Sequence, residues 1–380
     1  MNYRQFGNTD WKVSALGFGC MRFPMTSDGK VDEPEAIKMV HYAIDNGVNY
    51  LDTAYGYHDG NSEIITGKAL KDGYREKVRI ATKCPVWLVK KPEDFETLLD
   101  EQLEKLQIDY IDYYLLHSLS HDSWNNIILK HNVLAQAEEA KKKGKIKHIG
   151  FSFHDTPEAF NEVIDGYDKW ELCQIQYNYL DTNNQAGTNG LKYAASKGIP
   201  VVIMEPLRGG KLANPPKDII EILDSEGLTP PYDCALQWLW DQPEVSVVLS
   251  GMSSMKQLED NIASANKSAV GSMTASQKAA LVKVKEAYEA RAAIPCTRCN
   301  YCMPCPNNIN IPWNFELYND GKIHNDVESS RFSYIRFMDE KFRASKCIEC
   351  RICEEKCPQK IAISEWMPKV HSVLGENNPY

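Results

Sequence analysis

Long apolar runs are missing from this chain: none approaches the ~18 residues that a membrane-crossing helix requires, so no membrane partner is expected. The first twelve residues, MNYRQFGNTDWK, contain no apolar stretch of the kind a secretory leader carries, and the expected compartment is the cytoplasm. Positive charge is also in deficit. Against 52 Asp and Glu stand only 43 Lys and Arg, a net charge of −9, which argues against a protein that grips nucleic acid by neutralising phosphates. Cysteine is scarce over most of the length, with Cys20, Cys84, Cys173 and Cys234 alone in the first 295 residues. In the last 85 residues there are eight, which marks a change of chemistry along the chain. A reducing cytoplasm does not preserve disulfides, so closely spaced cysteines there read as a metal site.

With 380 residues the chain is longer than one hydrophobic core usually needs, and one large domain plus a smaller one is expected. Eight short β-branched or apolar runs recur before residue 265: Ala15 to Gly19, Tyr50 to Thr53, Arg79 to Lys83, Tyr110 to Leu116, Ile146 to Phe151, Cys173 to Tyr177, Pro200 to Met204 and Ser246 to Leu249. Amphipathic stretches separate them, among them PEAIKMVHYAIDNG and PEDFETLLDEQLEKL, and several open at Pro-Glu and close at Gly, the start and stop chemistry of helices. Eight βα units in ~250 residues predict an α/β fold, a closed (β/α)8 TIM barrel. An open doubly wound sheet is the alternative, but the Gly-rich turn expected after its first strand is absent. The leading segment YRQFGNTDWKVSALGFG predicts a hairpin that plugs the barrel bottom. The strand pattern stops after residue 270, which predicts domains 1–275 and 276–380, the second mainly α-helical from MTASQKAALVKVKEAYEAR onward.

The cysteines of the second part form two arrays. The first is Cys296, Cys299, Cys302 and Cys305 followed by Pro306, and the second is Cys347, Cys350, Cys353 and Cys357 followed by Pro358. Four-cysteine zinc sites also use Cys-x2-Cys pairs. The second array, however, matches the bacterial ferredoxin run, in which three close cysteines hold one 4Fe-4S cluster and the fourth, before Pro, reaches the other. That resemblance implies two 4Fe-4S clusters with crossed ligation: Cys296, Cys299, Cys302 and Cys357 on one, Cys347, Cys350, Cys353 and Cys305 on the other. The first array is one residue short before Cys305. The intervening residues contain no β-alternation and resemble the α-helical type of two-cluster ferredoxin domain.

Barrel active sites lie at the C-terminal ends of the strands. Titratable residues there are Asp52 and Tyr57 after the second strand, Lys83 at the end of the third and His117 at the end of the fourth. With the segments LDTAYGYHDGNSE, IATK and YYLLH around them, the chain resembles the aldo/keto reductase superfamily, in its subgroup with a C-terminal ferredoxin-type extension. The resemblance implies a catalytic tetrad. Tyr57 would be the general acid that protonates a carbonyl oxygen as hydride arrives, Lys83 would lower the Tyr57 pKa, Asp52 would pair with Lys83, and His117 would orient the carbonyl. Tyr55 lacks the family spacing.

For the cofactor, NADP(H) or NAD(H), the resemblance implies Ser152, Gln176 and Asn178 near the nicotinamide. It further implies Arg208, Gly209 and Gly210 at the pyrophosphate, and Ser253, Ser254, Gln257 and Asn261 at the adenosine phosphate. Phe153 stands where the family usually has Asn, Met204 or Glu205 where an aromatic residue stacks, and Gln257 where an Arg holds a 2′-phosphate, leaving Lys256 as the nearest cation. The expected substrate is a small carbonyl or alcohol. Nicotinamide delivers electrons in pairs and a cluster singly, so the alternative is an iron-sulfur-dependent reductase or electron-transfer module, in which clusters fed by a redox partner protein supply the barrel site. Trp87, Trp124 and Trp313 are candidate pocket residues or packing, and Cys20 and Cys84 read as buried packing thiols.

Overall fold

A computed structural model describes residues 1–380. Two short strands, β1 (Tyr3–Gln5) and β2 (Lys12–Ser14), pair antiparallel, Tyr3 opposite Ser14. Eight more follow: β3 (Leu16–Gly19), β4 (Tyr50–Asp52), β5 (Arg79–Cys84), β6 (Ile111–Leu119), β7 (Ile146–Phe153), β8 (Cys173–Gln176), β9 (Val201–Met204) and β10 (Val245–Gly251). Each pairs in parallel with the next, and β10 pairs with β3, closing the barrel. All eight predicted strands are present, and the open-sheet alternative is excluded by the β10–β3 pairing.

The helices begin where the sequence chemistry places them. Asp32 caps Glu33–Asp45 by accepting the Glu35 amide, with Pro34 in the first turn, and Thr156 does the same for Pro157–Asp165 through the Ala159 amide. The stretch from Trp124 to Lys142 is not one helix but a π-helical turn, Trp124–Leu129, followed by Val133–Lys142, the break falling at Asn132 in left-handed backbone.

At the barrel bottom the hairpin supplies Phe6 and Trp11, whose rings meet edge-on at 5.2 Å and pack against Tyr50 and Tyr113. The Arg4 guanidinium donates to the carbonyls of Gln242 and Val245, where β10 begins. Inside, a Cβ on Gly17 would stand 2.7 Å from Leu249 Cδ2 and 2.9 Å from Val247 Cγ1, so a larger residue there would force the Leu249 and Val247 side chains to shift within the interior layer. Cys20, Cys84, Cys173 and Cys234 are buried, and burial pushes the first, second and fourth thiols up to about 12. They are packing residues, not reactive thiols.

The chain divides into two compact units, Met1–Ala213 with Pro230–Thr274, and Asn214–Thr229 with Ala275–Tyr380. The single cut expected at residue 275 therefore misses one excursion. Helix Lys217–Ser225 goes with the second unit because Arg291 pairs with Asp218 at 3.0 Å and Ser276 donates to Glu226 at 2.6 Å. In that unit helices Ile311–His324, Val327–Arg336 and Ile363–Gly375 enclose a core of Phe315, Tyr334, Met367, Val370 and Leu374. Asn314, fully buried, donates to the carbonyls of Asn310 and Phe342 and accepts the Ala344 amide, tying the helices to the lead-in of the second cysteine array. No helix is long and apolar enough to cross a membrane.

Candidate active site and cluster sites

Three of the four tetrad candidates meet directly at the C-terminal ends of β4 and β5. Lys83 Nζ, on a side chain 1% exposed, donates to Asp52 Oδ1 at 2.7 Å and to the Thr53 carbonyl at 2.7 Å, and lies 3.4 Å from Tyr57 Oη. Burial pulls the Lys83 ammonium down, but Asp52 and Tyr57 outweigh it and keep the group cationic. Burial pushes the Asp52 carboxyl up against the pull of Lys83; at 2.7 Å the two form an ion pair. The Tyr57 phenol is also pushed up by burial, and the Lys83 charge only partly offsets this. Lys83 lowers the Tyr57 pKa as expected, but desolvation is larger and the net direction is up.

His117 stands across the mouth, its ring 6.3 Å from that of Tyr57 and 5.2 Å from that of Trp87. Its backbone is set by an irregularity. The β6–β7 register shifts between Leu116 and Leu119, and Ser118 takes φ 59°. The Ser118 amide donates to Ser152 Oγ at 2.8 Å. Burial, together with the charge of Lys83, pushes His117 down to about 3, so the imidazole is neutral, and its Nδ1 is buried without a partner. Tyr55 belongs elsewhere, donating to Glu101 with Lys105 over its ring. Trp87 is 45% exposed at the rim, Trp124 packs near Trp170 inside, and Trp313 lies in the second unit.

The residues expected at the cofactor fall into three groups. Ser152 already accepts the Ser118 amide. Gln176 donates to Asp181 and accepts from Gln185, while Asn178 donates to Asp181 and the Glu205 carbonyl and accepts the amides of Leu180 and Asp181. All four hydrogen-bonding positions of Asn178 are filled from within the protein, so it braces the loop rather than facing a ligand. Arg208 Nε lies 3.3 Å from Asp181 Oδ2. Gly209 and Gly210, at φ 66° and 93°, have nothing within 4 Å of a notional Cβ; the Gly210 amide donates to the Leu207 carbonyl and its carbonyl accepts the Ala213 amide, so Gly209 is the uncrowded approach for a ligand. In the third group Ser254 caps helix Met255–Ala265, Gln257 accepts the Ser253 amide, and Asn261 donates to Ser250; Lys256 is paired with Asp260.

Gln174 was not among the expected residues. It lies on β8 two positions before Gln176, hence on the same face and one layer deeper, beside Asp52, with Oε1 buried and unpartnered. The period-two pattern QIQ was the available signal. His154, after β7, is a second imidazole close enough to His117 to lower its pKa. Asp181, the hub of the Gln176, Asn178 and Arg208 contacts, carried no signal.

In the second unit the cysteines assemble as two quartets around separate hollows. One is lined by Cys296, Cys299, Cys302 and Cys357, the other by Cys305, Cys347, Cys350 and Cys353. Each takes three sulfurs from one array and one from the other, and Ile311 and Ile363 line both. No three His, Cys, Asp or Glu side chains converge on one point as a single ion would need; the thiols surround a volume instead.

A closed parallel barrel with a buried Lys–Asp pair and a phenol at its mouth, joined to a cysteine-quartet unit, defines the class as an oxidoreductase of the (β/α)8 type with an iron-sulfur extension. Residues 15–280 match the aldo/keto reductase family and residues 295–362 match the 4Fe-4S dicluster domain. The chain belongs to the aldo/keto reductase family. It is 32% identical over 283 residues to L-galactose dehydrogenase of Arabidopsis thaliana, covering 68% of this chain and 86% of that protein. It is 28% identical to NADH-specific methylglyoxal reductase of Escherichia coli (strain K12) over 306 residues, 68% of this chain and 92% of that one. Among solved structures, aldo-keto reductase AKR11C1 from Bacillus halodurans (holo form) superposes with a TM-score of 0.62 at 28% identity, covering 75% of this chain and 96% of that one.

Proposed function

We propose that the barrel unit, Met1–Ala213 with Pro230–Thr274, interconverts a small carbonyl and its alcohol, and that the second unit holds two 4Fe-4S clusters. The observation that carries the reading is Lys83 Nζ, held between Asp52 Oδ1 and Tyr57 Oη. A nicotinamide dinucleotide, when bound, supplies the hydride. Buried Gln174 with its unpartnered Oε1 and the uncrowded backbone at Gly209 fit such a group, as does the N-terminus of helix Met255–Ala265. Arg208, Ser253, Ser254 and Gln257 line the phosphate side of that reading.

The protonation states suit reduction. Tyr57, raised by burial, keeps its proton at neutral pH and releases it to an oxygen that is gaining negative charge. Lys83 stabilises the phenolate left behind, and Asp52 keeps the buried Lys83 charged. His117, neutral, orients the carbonyl by hydrogen bonding without adding charge. The cysteine quartets fit cubes rather than single ions, because four thiols spread around a hollow match the corners of a cluster.

A second reading has one observation in its favour: Gln176, Asn178 and Arg208 are already engaged by Asp181. In that reading the two electrons come singly through the clusters from an electron-carrier protein, and Tyr57 still provides a proton. The test is an anaerobic titration of the holoprotein with NADPH and NADH, following nicotinamide fluorescence and cluster absorbance, with turnover on methylglyoxal and an aromatic aldehyde. Nucleotide binding and turnover, both intact without cluster reduction, support the first reading. Turnover that requires cluster reduction supports the second. Replacing Tyr57 by Phe should lower turnover by roughly 10²- to 10⁴-fold with iron content unchanged; retained turnover overturns the role of Tyr57.

A further inference from the structure

One carboxylate oxygen gathers two groups that the nucleotide reading needs, Gln176 and Arg208, together with the loop-bracing Asn178. Asp181 is 9% exposed, and its Oδ2 lies 3.3 Å from Gln176 Nε2, 3.1 Å from Asn178 Nδ2 and 3.3 Å from Arg208 Nε. Three N–H donors converging on one anionic oxygen form the surroundings of a phosphate oxygen. The uncrowded backbone of Gly209 follows Arg208 directly. A pyrophosphate brought to Arg208 would meet the negative charge of Asp181 and would have to take the guanidinium from it.

We propose that Asp181 is an internal competitor for the anion-binding groups of the barrel mouth, and that it sets a weak affinity for nicotinamide dinucleotides. The inference rests on the nucleotide reading above. Asp181 acts through Arg208 and Gln176 and is a positioning residue. Binding costs the Arg208–Asp181 contact, so removing the charge at 181 strengthens binding rather than weakening it. A residue that only braced the loop would do the opposite, because Asn178 and Asp181 also hold the turn through the Leu180 and Asp181 amides.

The experiment is a fluorescence titration of the cluster-loaded protein with NADPH and with NADH. Asp181→Asn, which keeps an acceptor oxygen but loses the charge, should lower Kd by about tenfold, as expected for exchange of one charge-assisted contact. Asp181→Glu, which restores the charge, should return Kd to within about twofold of the parent. Arg208→Gln should abolish the gain brought by Asp181→Asn, because that gain runs through the guanidinium that Asp181 holds in the parent. Iron content and the thermal midpoint are measured alongside, and the Arg208→Gln comparison stands if Asp181→Asn is destabilised. Binding by Asp181→Asn that equals or falls below that of a parent which does bind overturns the role of Asp181 and leaves the nucleotide reading in place. If neither protein binds either nucleotide, the nucleotide reading falls and the role of Asp181 with it.

Discussion

The Lys83–Asp52 pair gives the most demanding test. Both side chains are almost wholly buried, at 1% and 4% exposure, and they share one contact of 2.7 Å. Lys83→Met removes the cation and leaves a carboxylate whose Oδ2 already lacks a hydrogen-bond partner. Breaking a buried pair in this way costs about 3–5 kcal/mol. Asp52→Asn leaves the ammonium with Thr53 O and Tyr57 Oη and should cost less, about 1–3 kcal/mol.

The double variant Asp52→Asn/Lys83→Met strands no charge, so its loss should be no greater than that of Lys83→Met alone. The interaction energy should then be on the order of 2 kcal/mol, well above the ~0.5 kcal/mol scatter of independent sites. The assay is denaturant unfolding followed by tryptophan fluorescence, six of the eight tryptophans lying before residue 275. A pH series adds a sign. Asp52 without Lys83 has its pKa raised further by burial, so the penalty in Lys83→Met should shrink as pH falls toward the ordinary carboxylate range and grow as it rises. Single-variant losses that simply add, with no pH dependence, would refute the buried ion pair.

Cys305→Ser should cost roughly half the iron and spare the cluster held by Cys296, Cys299, Cys302 and Cys357, with Cys357→Ser doing the reverse; electron paramagnetic resonance of the reduced protein separates the two, and loss of the same cluster from both variants contradicts crossed ligation. Carbonyl reduction should hold its rate through neutral pH and fall only above the ordinary phenol value of 10.0, because burial raises Tyr57; a fall between pH 7 and 9 contradicts this. His117, lowered from 6.5 to about 3 in the folded protein, contributes stability that is present above 6.5 and lost as pH falls toward 3, so His117→Gln should flatten the acid side of the stability profile over that window. Ser152→Ala should cost about 1–3 kcal/mol by stranding the Ser118 amide, and should lower turnover with it by displacing His117.

Sequence alone determined what depends on short-range pattern. The period-two strands, the capped helices and the count of βα units specified the barrel, because alternation and capping act within a few residues of chain. The tetrad candidates were legible because barrel topology puts strand ends at one rim, and the quartets because cysteine spacing is itself the ligand geometry. Contacts between residues far apart in chain had no such trace. Tertiary packing decided that burial outweighs Lys83 at Tyr57, that Asn178 is spent on its own loop, and that Gln174 faces Asp52. It also gathered Gln176, Asn178 and Arg208 onto Asp181. Such outcomes depend on which groups are desolvated together and which distant donor arrives first, and those quantities exist only once the chain has closed on itself.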